Sequence, residues 1–259
     1  MTPYRNSSPI IETQDLTIRF GGHVAVDHVN LKIEPLVLKS IIGPNGAGKT
    51  TLFNLLTGQY KPTTGKVFLK GRDITNWGPA KRTRSGMGRS FQLTNIFPGL
   101  TVLENVRIAI QSREGLGLNF WRTYYQFSEL EDEAYSLLKN VFLDGKWAME
   151  ASSLTHGEQR NLEMAILLSL KPEILLLDEP TAGMSQEEVP KILEMIQRIK
   201  DNRKQTILLV EHKMDMIMSL SDKIAVLQEG RLIAEGVPHE IYENEVVQEA
   251  YLGGGTKRD

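Results

Sequence analysis

Hydrophobic and polar residues alternate along the first part of the chain. The alternation covers Ile10 to Phe20 and Val24 to Ile33, with Gly21-Gly22 between the two runs. A period of two residues is typical of strands with one buried face, and paired glycines favour a turn. Val37 to Ile42 is a further short run rich in Val, Leu and Ile. We therefore predict a β-rich N-terminal region that leads into a buried strand.

The rest of the chain alternates predicted strands with predicted helices, as in an α/β protein. A helix is predicted from Lys49 to about Leu56, ending at Gly58, because glycine often follows the last turn of a helix. The other predicted elements are strands Lys66–Leu69, Ile174–Leu177 and Thr206–Val210, a helix from about Glu187 to Lys200, a hairpin of Ile224–Leu227 and Arg231–Ala234 around Glu229-Gly230, and a short amphipathic helix from Pro238 to Leu252.

Residues 87 to 163 have a different character, with few strand patterns. Ala134, Leu137, Leu138 and Val141 recur at helical spacing and share one face. We predict a helical insert here. It contains an aromatic segment, Phe120 to Phe127, for which packing within the insert and contact with a partner both stay open.

Composition and charge exclude several functional classes. The 259 residues carry a net charge of −2 without a basic patch, so we expect no nucleic acid partner. The chain has no cysteine, which excludes disulfides and thiolate metal sites. Met1 to Ser8 lacks the apolar centre of a signal peptide, and the longest apolar run, near Met164 to Leu170, is shorter than the roughly 20 residues that span a bilayer. We expect a soluble protein whose membrane role, if any, comes through partners.

A phosphate-binding motif joins the buried strand to the first predicted helix. The pattern G-x-x-x-x-G-K-[ST] is matched, with one further threonine, by Gly43, Pro44, Asn45, Gly46, Ala47, Gly48, Lys49, Thr50 and Thr51. Glycines let backbone N–H groups close around phosphates, aided by the positive N-terminus of the helix. Lys49 is expected to reach the β- and γ-phosphates, and the Thr50 hydroxyl to bind Mg²⁺. The strand–loop–helix setting argues against a chance glycine-rich turn.

Two carboxylates and a histidine follow apolar strands further along the chain. Asp178 and Glu179 end the strand that begins at Ile174, and His212 follows the strand Thr206 to Val210. The carboxyl ends of parallel strands meet at the edge where ligands bind, so we expect these side chains to lie together. Asp178 then holds Mg²⁺ through water, and Glu179 activates the attacking water. An acidic pair that only caps the turn at Pro180 is the structural alternative.

These motifs resemble those of the ABC ATPase family over about Ile10 to Gly253. The resemblance implies that Gln92 lies in the Q-loop, where it contacts Mg²⁺ and the attacking water as well as the transmembrane partner. It also implies that Phe20 stacks on adenine and that His212 acts beside Glu179 at the γ-phosphate. The other histidines, His23, His28 and His239, we interpret as ordinary surface or turn residues.

The signature position of the family is occupied by Leu154, Thr155, His156, Gly157 and Glu158, before a helix predicted to start near Gln159. In the family this motif closes over the γ-phosphate of ATP bound to the opposite subunit, which suits a helix N-terminus and a hydroxyl. The usual family sequence is Leu-Ser-Gly-Gly-Gln, so three of its five residues differ here. His156 puts a side chain where the family has glycine.

The D-loop position is occupied by Ala182-Gly183-Met184-Ser185, with Ser185 in place of the usual aspartate. A similarly altered signature is typical of the branched-chain amino-acid and urea importer subgroup, which this chain resembles. The same subgroup is indicated by four further segments, Arg19–Gly22, Gly88–Gln92, Asn95–Val106 and Ala250–Gly253.

The resemblance implies one ABC ATPase domain over residues 10–253. Its fold would be α/β: a RecA-like P-loop NTPase core with an N-terminal antiparallel β subdomain (10–86 and 164–236), a helical insert subdomain with the Q-loop and signature (87–163) and a C-terminal helix (237–253). Residues 1–9 and 254–259 would be flexible termini. ATP and Mg²⁺ are the implied cofactors.

The implied partners are a second ABC ATPase subunit, identical or homologous, transmembrane permease subunits and, indirectly, an extracytoplasmic solute-binding protein. The chain would act at the cytoplasmic side of the membrane as a transport-coupled ATPase. Three alternatives stay open: a cassette of the lipopolysaccharide-export kind, a soluble ABC ATPase acting on ribosomes or DNA, and a nucleotide-binding regulator without turnover.

Overall fold

A computed structural model describes residues 8–90, 96–115 and 124–252. The chain divides into two compact units. The first comprises Met1–Met87, Glu173–Glu179 and Ile199–Asp259, and the second comprises Gly88–Pro172 and Pro180–Arg198.

The described residues form strands and helices in alternation, with two short 3₁₀ turns at Asp144–Lys146 and Ala151–Ser153. The strands are β1 (Ile11–Phe20), β2 (His23–Val29), β3 (Lys32–Ile33), β4 (Leu38–Ile42), β5 (Thr64–Leu69), β6 (Arg72–Asp73), β7 (Met87–Arg89), β8 (Ile174–Asp178), β9 (Thr206–Val210), β10 (Lys223–Gln228) and β11 (Arg231–Gly236). The helices are α1 (Lys49–Thr57), α2 (Pro79–Arg84), α3 (Val102–Arg113), α4 (Tyr124–Asn140), α5 (His156–Ser169), α6 (Val189–Asp201), α7 (Met214–Leu220), α8 (Pro238–Tyr242) and α9 (Glu245–Leu252).

The first unit contains an antiparallel sheet and a mostly parallel one. The antiparallel sheet has the order β2-β1-β5-β6, with β3 also paired to β1. In the larger sheet, the strands wholly within this unit follow the order β11-β10-β4-β9-β8, and β10, β4, β9 and β8 are parallel neighbours. All residues of β4, β8 and β9 are buried, as expected for parallel strands covered on both faces. The predicted α/β class with an antiparallel sheet is confirmed.

Two predicted elements differ from the structure. The predicted strand Val24–Ile33 is broken into β2 and β3, because β1 pairs with them in separate registers and the Thr13 hydroxyl bridges the break, donating to the Val29 carbonyl and accepting the Leu31 N–H. The predicted helix from Pro238 to Leu252 is two helices, α8 and α9. Asn244 separates them because its side chain accepts the Val247 N–H, an interaction that starts a new helix.

A buried arginine anchors the far end of α1. Arg82 in α2 is 1% exposed, and burial lowers the pKa of its guanidinium to about 10. It donates to the carbonyl groups of Leu55, Leu56, Ile74, Thr75 and Trp77. Carbonyl groups in the last turn of a helix have no partner within the helix, so the guanidinium satisfies the end of α1 and joins it to the 74–77 loop.

In the second unit, α3, α4 and α5 pack on one another around a core that includes Val106, Ile110, Ala134, Leu138 and Leu162. Both α3 and α5 begin with a capping box. No helix in the described part of the chain combines the length and the apolar character needed to span a membrane.

Charged groups also hold this unit together. The Arg113 guanidinium donates twice to the Glu133 carboxylate, with both N···O distances at 2.8 Å. These hydrogen bonds are the largest effect on the pKa of Glu133, which is lowered to about 2, and Lys171, at 3.1 Å, adds to the effect. The second unit is therefore stabilised partly by an ion pair between α3 and α4.

Candidate functional site

The phosphate-binding motif forms a tight loop between β4 and α1. Its backbone is left-handed at Gly46 and Gly48, and Gly43 has φ of 153°. A Cβ at Gly43 would lie 2.1 Å from the carbonyl oxygen of Leu227, and one at Gly48 would lie 2.3 Å from that of Ala25. Neither position accommodates a side chain, so the two glycines fix the path of the loop against backbone that cannot move aside.

The N-terminus of α1 faces this loop without a side-chain cap. Gly48 is the N-cap and has no side chain with which to cap the helix, and the first turn contains no acidic residue. The free N–H groups and the positive end of the helix dipole therefore favour an anion at this position.

Lys49 places a cation inside the same loop. It is 6% exposed, and its Nζ donates to the carbonyl oxygens of Gly43 at 2.7 Å and Pro44 at 3.0 Å. Burial lowers the pKa of Lys49, and the nearby carboxylates of Glu179 and Asp178 act in the opposite direction. The ammonium thus lies where a phosphate group bound by the loop would meet it.

Glu179 and His212 meet at the edge of the parallel sheet. Asp178 pairs with Val210 in the β8–β9 register, and the Glu179 N–H donates to the Val210 carbonyl at 2.9 Å. Just beyond the ends of β8 and β9, the Nε2 of His212 lies 2.8 Å from the Oε1 of Glu179. Glu179 itself has φ of 48°, an unusual backbone conformation for this residue type. The structure therefore brings together two side chains that the sequence separates by a whole helix.

These residues border a cavity of about 380 Å³. It is lined by Phe20, His23, Ala25, the loop and helix residues from Asn45 to Thr51, Glu179 and His212. His23 is exposed, as the sequence indicated, yet it also lines this cavity, which sequence reasoning missed. The available signal was its pairing with Phe20 across the Gly21-Gly22 turn.

Phe20 offers an aromatic surface at this cavity. The side chain is 46% exposed, and its ring contacts Tyr60 edge-on, with centroids 5.4 Å apart. An edge contact fixes the orientation of the ring, so the arrangement can support a stacked base.

The C-terminal helices also reach the phosphate-binding loop. Val247 of α9 and Ile241 of α8 are buried in one cluster with Ile42, the residue before Gly43. Tyr251 lies one helical turn after Val247, with its phenol close to the Gly43 backbone. Burial raises the pKa of Tyr251, and the nearby Gly43 backbone acts in the opposite direction. In the sequence, Tyr251 is apparent only as part of the subgroup segment Ala250–Gly253.

The signature residues form the start of α5 in the second unit. Thr155 is the N-cap: its hydroxyl accepts the Glu158 N–H at 3.3 Å, and the Glu158 carboxylate accepts the Thr155 N–H at 3.2 Å. The expected helix start near Gln159 is therefore wrong, because this capping box begins the helix at His156.

Charged and aromatic side chains surround this helix start. Burial acts to raise the pKa of Glu158, but Lys146, at 2.6 Å, and the Thr155 backbone lower it overall. Leu154 is buried, and the His156 ring lies beside Gly183, where an added Cβ would be 3.5 Å from Nε2. Gln92 and residues 120–123 of the aromatic segment lie outside the described residues, as do the predicted flexible ends other than residues 8 and 9. For residues 124–127 the structure describes only the helical backbone.

Comparison with known proteins identifies the family to which the chain belongs. A family model described as ABC transporter matches residues 26–182, and one described as branched-chain amino acid ATP-binding cassette transporter matches residues 231–256.

Two relatives extend the match to nearly the whole chain. The high-affinity branched-chain amino acid transport ATP-binding protein LivG of Escherichia coli strain K12 is 40% identical over 255 residues, which covers 95% of this chain and 99% of LivG. BraF of Pseudomonas aeruginosa, described in the same words, is 41% identical over 254 residues with the same coverage.

A solved structure of the ADP conformation of an ATP-binding cassette of an ABC transporter matches with a TM-score of 0.80 and 28% identity, over 95% of this chain and all of that one. None of these matches favours a lipopolysaccharide exporter or a soluble ATPase of ribosomes or DNA. The resemblance inferred from the motifs is confirmed: the chain belongs to the ABC transporter family and is one of its ATP-hydrolysing, ATP-binding cassettes.

Proposed function

We propose that this cassette powers the import of branched-chain amino acids, or of a related small polar solute such as urea. The support is the 40% identity with LivG over almost all of both chains, together with the matching C-terminal segment. Permease subunits would carry the solute, and an extracytoplasmic binding protein would deliver it. The cassette would act on them from the cytoplasmic side of the membrane.

The contact between Glu179 and His212 is the observation that carries the proposed mechanism. ATP would enter with its phosphates in the loop from Gly43 to Thr51, its γ-phosphate near Lys49 and its adenine on Phe20. Glu179 would then take a proton from the attacking water while His212, 2.8 Å away, keeps the carboxylate oriented. The N–H groups of α1 and the Lys49 ammonium stabilise the charge on the phosphates.

The Thr50 hydroxyl and the Asp178 carboxylate would hold Mg²⁺, with Gln92 as the third expected ligand. Among the described residues, no three His, Cys, Asp or Glu side chains group into a metal site of their own. The oxygens of Thr50, Asp178 and Gln92 fit Mg²⁺, because this ion binds through one or two protein oxygens, water and the phosphates of its nucleotide. When bound, the ion neutralises charge on the phosphate oxygens.

A second cassette would complete each site. In the proposed dimer, Thr155 and Gly157 at the start of α5 contact the γ-phosphate of ATP held by the other subunit. Hydrolysis then removes the group that joins the two subunits and reopens the interface. Residues from Gln92 to Val106 would pass this movement to the permease.

Glu179→Gln tests the mechanism, because it keeps the shape of the side chain and removes the base. We expect steady-state ATP hydrolysis to fall by about 10²- to 10⁴-fold, while Mg·ATP binding is kept and an ATP-dependent dimer accumulates. Glu249→Gln, at an exposed position on α9, is the matched control and should behave like the parent. Wild-type hydrolysis by Glu179→Gln, or failure to form the dimer, contradicts the assignment.

The transported solute is tested separately. The cassette should co-purify from native membranes with permease subunits, and the reconstituted complex should hydrolyse ATP faster with a binding protein loaded with leucine than with an empty one. Stimulation by urea alone would select the other solute class. A complex without any turnover would instead support the non-hydrolysing regulator.

A further inference from the structure

Glu188 connects two segments of the second unit. Its Oε2 accepts the Ser185 N–H at 3.0 Å and the Ser185 hydroxyl at 3.2 Å, so the two residues form a capping arrangement just before α6. This interaction fixes the D-loop segment around Ser185 and sets the direction of the Glu188 side chain.

The other carboxylate oxygen of Glu188 points at the start of α5. Oε1 lies 3.5 Å from the Thr155 hydroxyl. A Cβ added to Gly157 would approach this same oxygen to 2.2 Å, so the carboxylate packs directly against the glycine. Any other residue at position 157 would force the carboxylate away. Thr155 and Gly157 are the residues proposed above to receive the γ-phosphate.

The charge on Glu188 has no cation next to it within the described residues. Glu158, on the same helix start, is paired with Lys146 at 2.6 Å, whereas no Lys, Arg or His forms an ion pair with Glu188 in the described part of the chain. The balancing groups are the positive end of α5 and the hydroxyl and N–H donors. A carboxylate in this environment is a chemical analogue of the phosphate group expected there.

We propose that Glu188 is a positioning residue that ties the D-loop to the signature helix and occupies, with its own carboxylate, the surface that receives the γ-phosphate of ATP bound to a second subunit. The inference rests on the proposed function. Incoming γ-phosphate must displace this carboxylate or bear its repulsion. Displacement also frees the segment around Ser185, so the D-loop and the signature rearrange together. The negative charge therefore sets a threshold for ATP-driven association.

Glu188→Gln in the full-length chain tests this assignment, because the amide oxygen can still accept the Ser185 N–H while the charge is removed. The variant is compared with the parent and with Glu187→Gln, which makes the same charge change at the exposed neighbouring residue. All three are prepared in the Glu179→Gln background, so that dimers accumulate. Dimer formation is measured by sedimentation velocity across a range of Mg·ATP concentrations, ADP binding is measured by calorimetry, and the melting temperature checks folding.

We expect Glu188→Gln to strengthen the ATP-dependent dimer about tenfold, with ADP affinity and melting temperature unchanged, and Glu187→Gln to match the parent. If the dimer of Glu188→Gln is as strong as that of the parent or weaker, the inference is overturned. Dimer formation by the parent would still support the proposed function. An equal gain in Glu187→Gln also overturns the inference, since long-range charge would then explain the effect. No dimer in any variant overturns both proposals.

Discussion

The N-termini of α1 and α5 are both proposed to meet phosphate, yet they are built in opposite ways. The start of α1 has a glycine as its cap, no acidic residue in its first turn and no side-chain hydrogen bond. The start of α5 is closed by the Thr155–Glu158 capping box and is approached by a second carboxylate, Glu188. The first surface is open to an anion, whereas the second already carries negative charge.

This contrast distinguishes the surface proposed to bind nucleotide from the surface proposed to associate with a second subunit. Backbone N–H groups and glycines shape the loop from Gly43 to Thr51. The start of α5 is instead covered by the carboxylates of Glu158 and Glu188. In the function proposed above, the first surface holds nucleotide and the second responds to the nucleotide of another subunit.

Among the variants that test this difference between the starts of α1 and α5, Lys49→Ala is expected to have the largest effect. It removes the cation from the open surface while leaving α5 untouched, so Mg·ATP affinity should fall by 100-fold or more (roughly 3 kcal/mol or above). Calorimetric titration measures the loss, and Lys61→Ala, at an exposed loop position of the same unit, should bind normally. If Lys49→Ala bound as tightly as the parent, the nucleotide site would lie elsewhere.

A smaller effect tests whether the second unit depends on charge for its stability. Glu133→Gln should lower the free energy of unfolding by about 1–2 kcal/mol at pH 7, a value reduced to allow for solvent screening of this partly exposed pair. The folded-state pKa of Glu133 is about 2, below its usual 4.5. Its stabilising contribution is therefore complete above about pH 4.5 and is lost as the pH falls toward 2.

Urea denaturation at pH 7 and near pH 2 measures this difference. The gap between parent and Glu133→Gln should shrink at the lower pH, whereas Glu131→Gln, exposed on the same helix, should show no gap at either pH. A difference that is independent of pH would mean that Glu133 acts through packing and not through its charge.

The smallest effect is expected from Tyr251→Phe, which removes only the phenol oxygen beside the Gly43 backbone. Loss of this polar contact should weaken Mg·ATP binding about two- to fivefold with little change in melting temperature. Tyr242→Phe, on the exposed surface of α8, is the matched control. Equal affinities in parent and Tyr251→Phe would show that the P-loop backbone keeps its shape without the C-terminal helices.

The sequence predicts the parts of the site that depend on local spacing. The loop from Gly43 to Thr51, the strand before it, the helix after it and the meeting of Glu179 with His212 follow from motif spacing and from the shared edge of parallel strands. The Gly58 end of α1 and the turn at Glu229-Gly230 are also correctly predicted, since glycine in a left-handed conformation marks both.

Contacts between distant segments could not be predicted in the same way. The approach of Tyr251 to Gly43 depends on how α9 packs, and the position of Glu188 depends on the geometry of two loops. Other misses had a usable signal. The capping box of Thr101 and Glu104 marks the start of α3, which was not predicted as a separate helix, and Asn244 marks the break between α8 and α9.

The Arg82 guanidinium has a mechanical consequence for α1. Two of the five hydrogen bonds of Arg82 hold the last turn of α1, at Leu55 and Leu56, and the other three go to the 74–77 loop. A displacement of α1 along its axis would therefore carry that loop with it. Lysine has only three donors and no planar fork, and so could not make the same connection. The helix proposed to receive the phosphates is thus joined at its far end to a loop of the same unit, so a movement of its first turn would be transmitted to that loop.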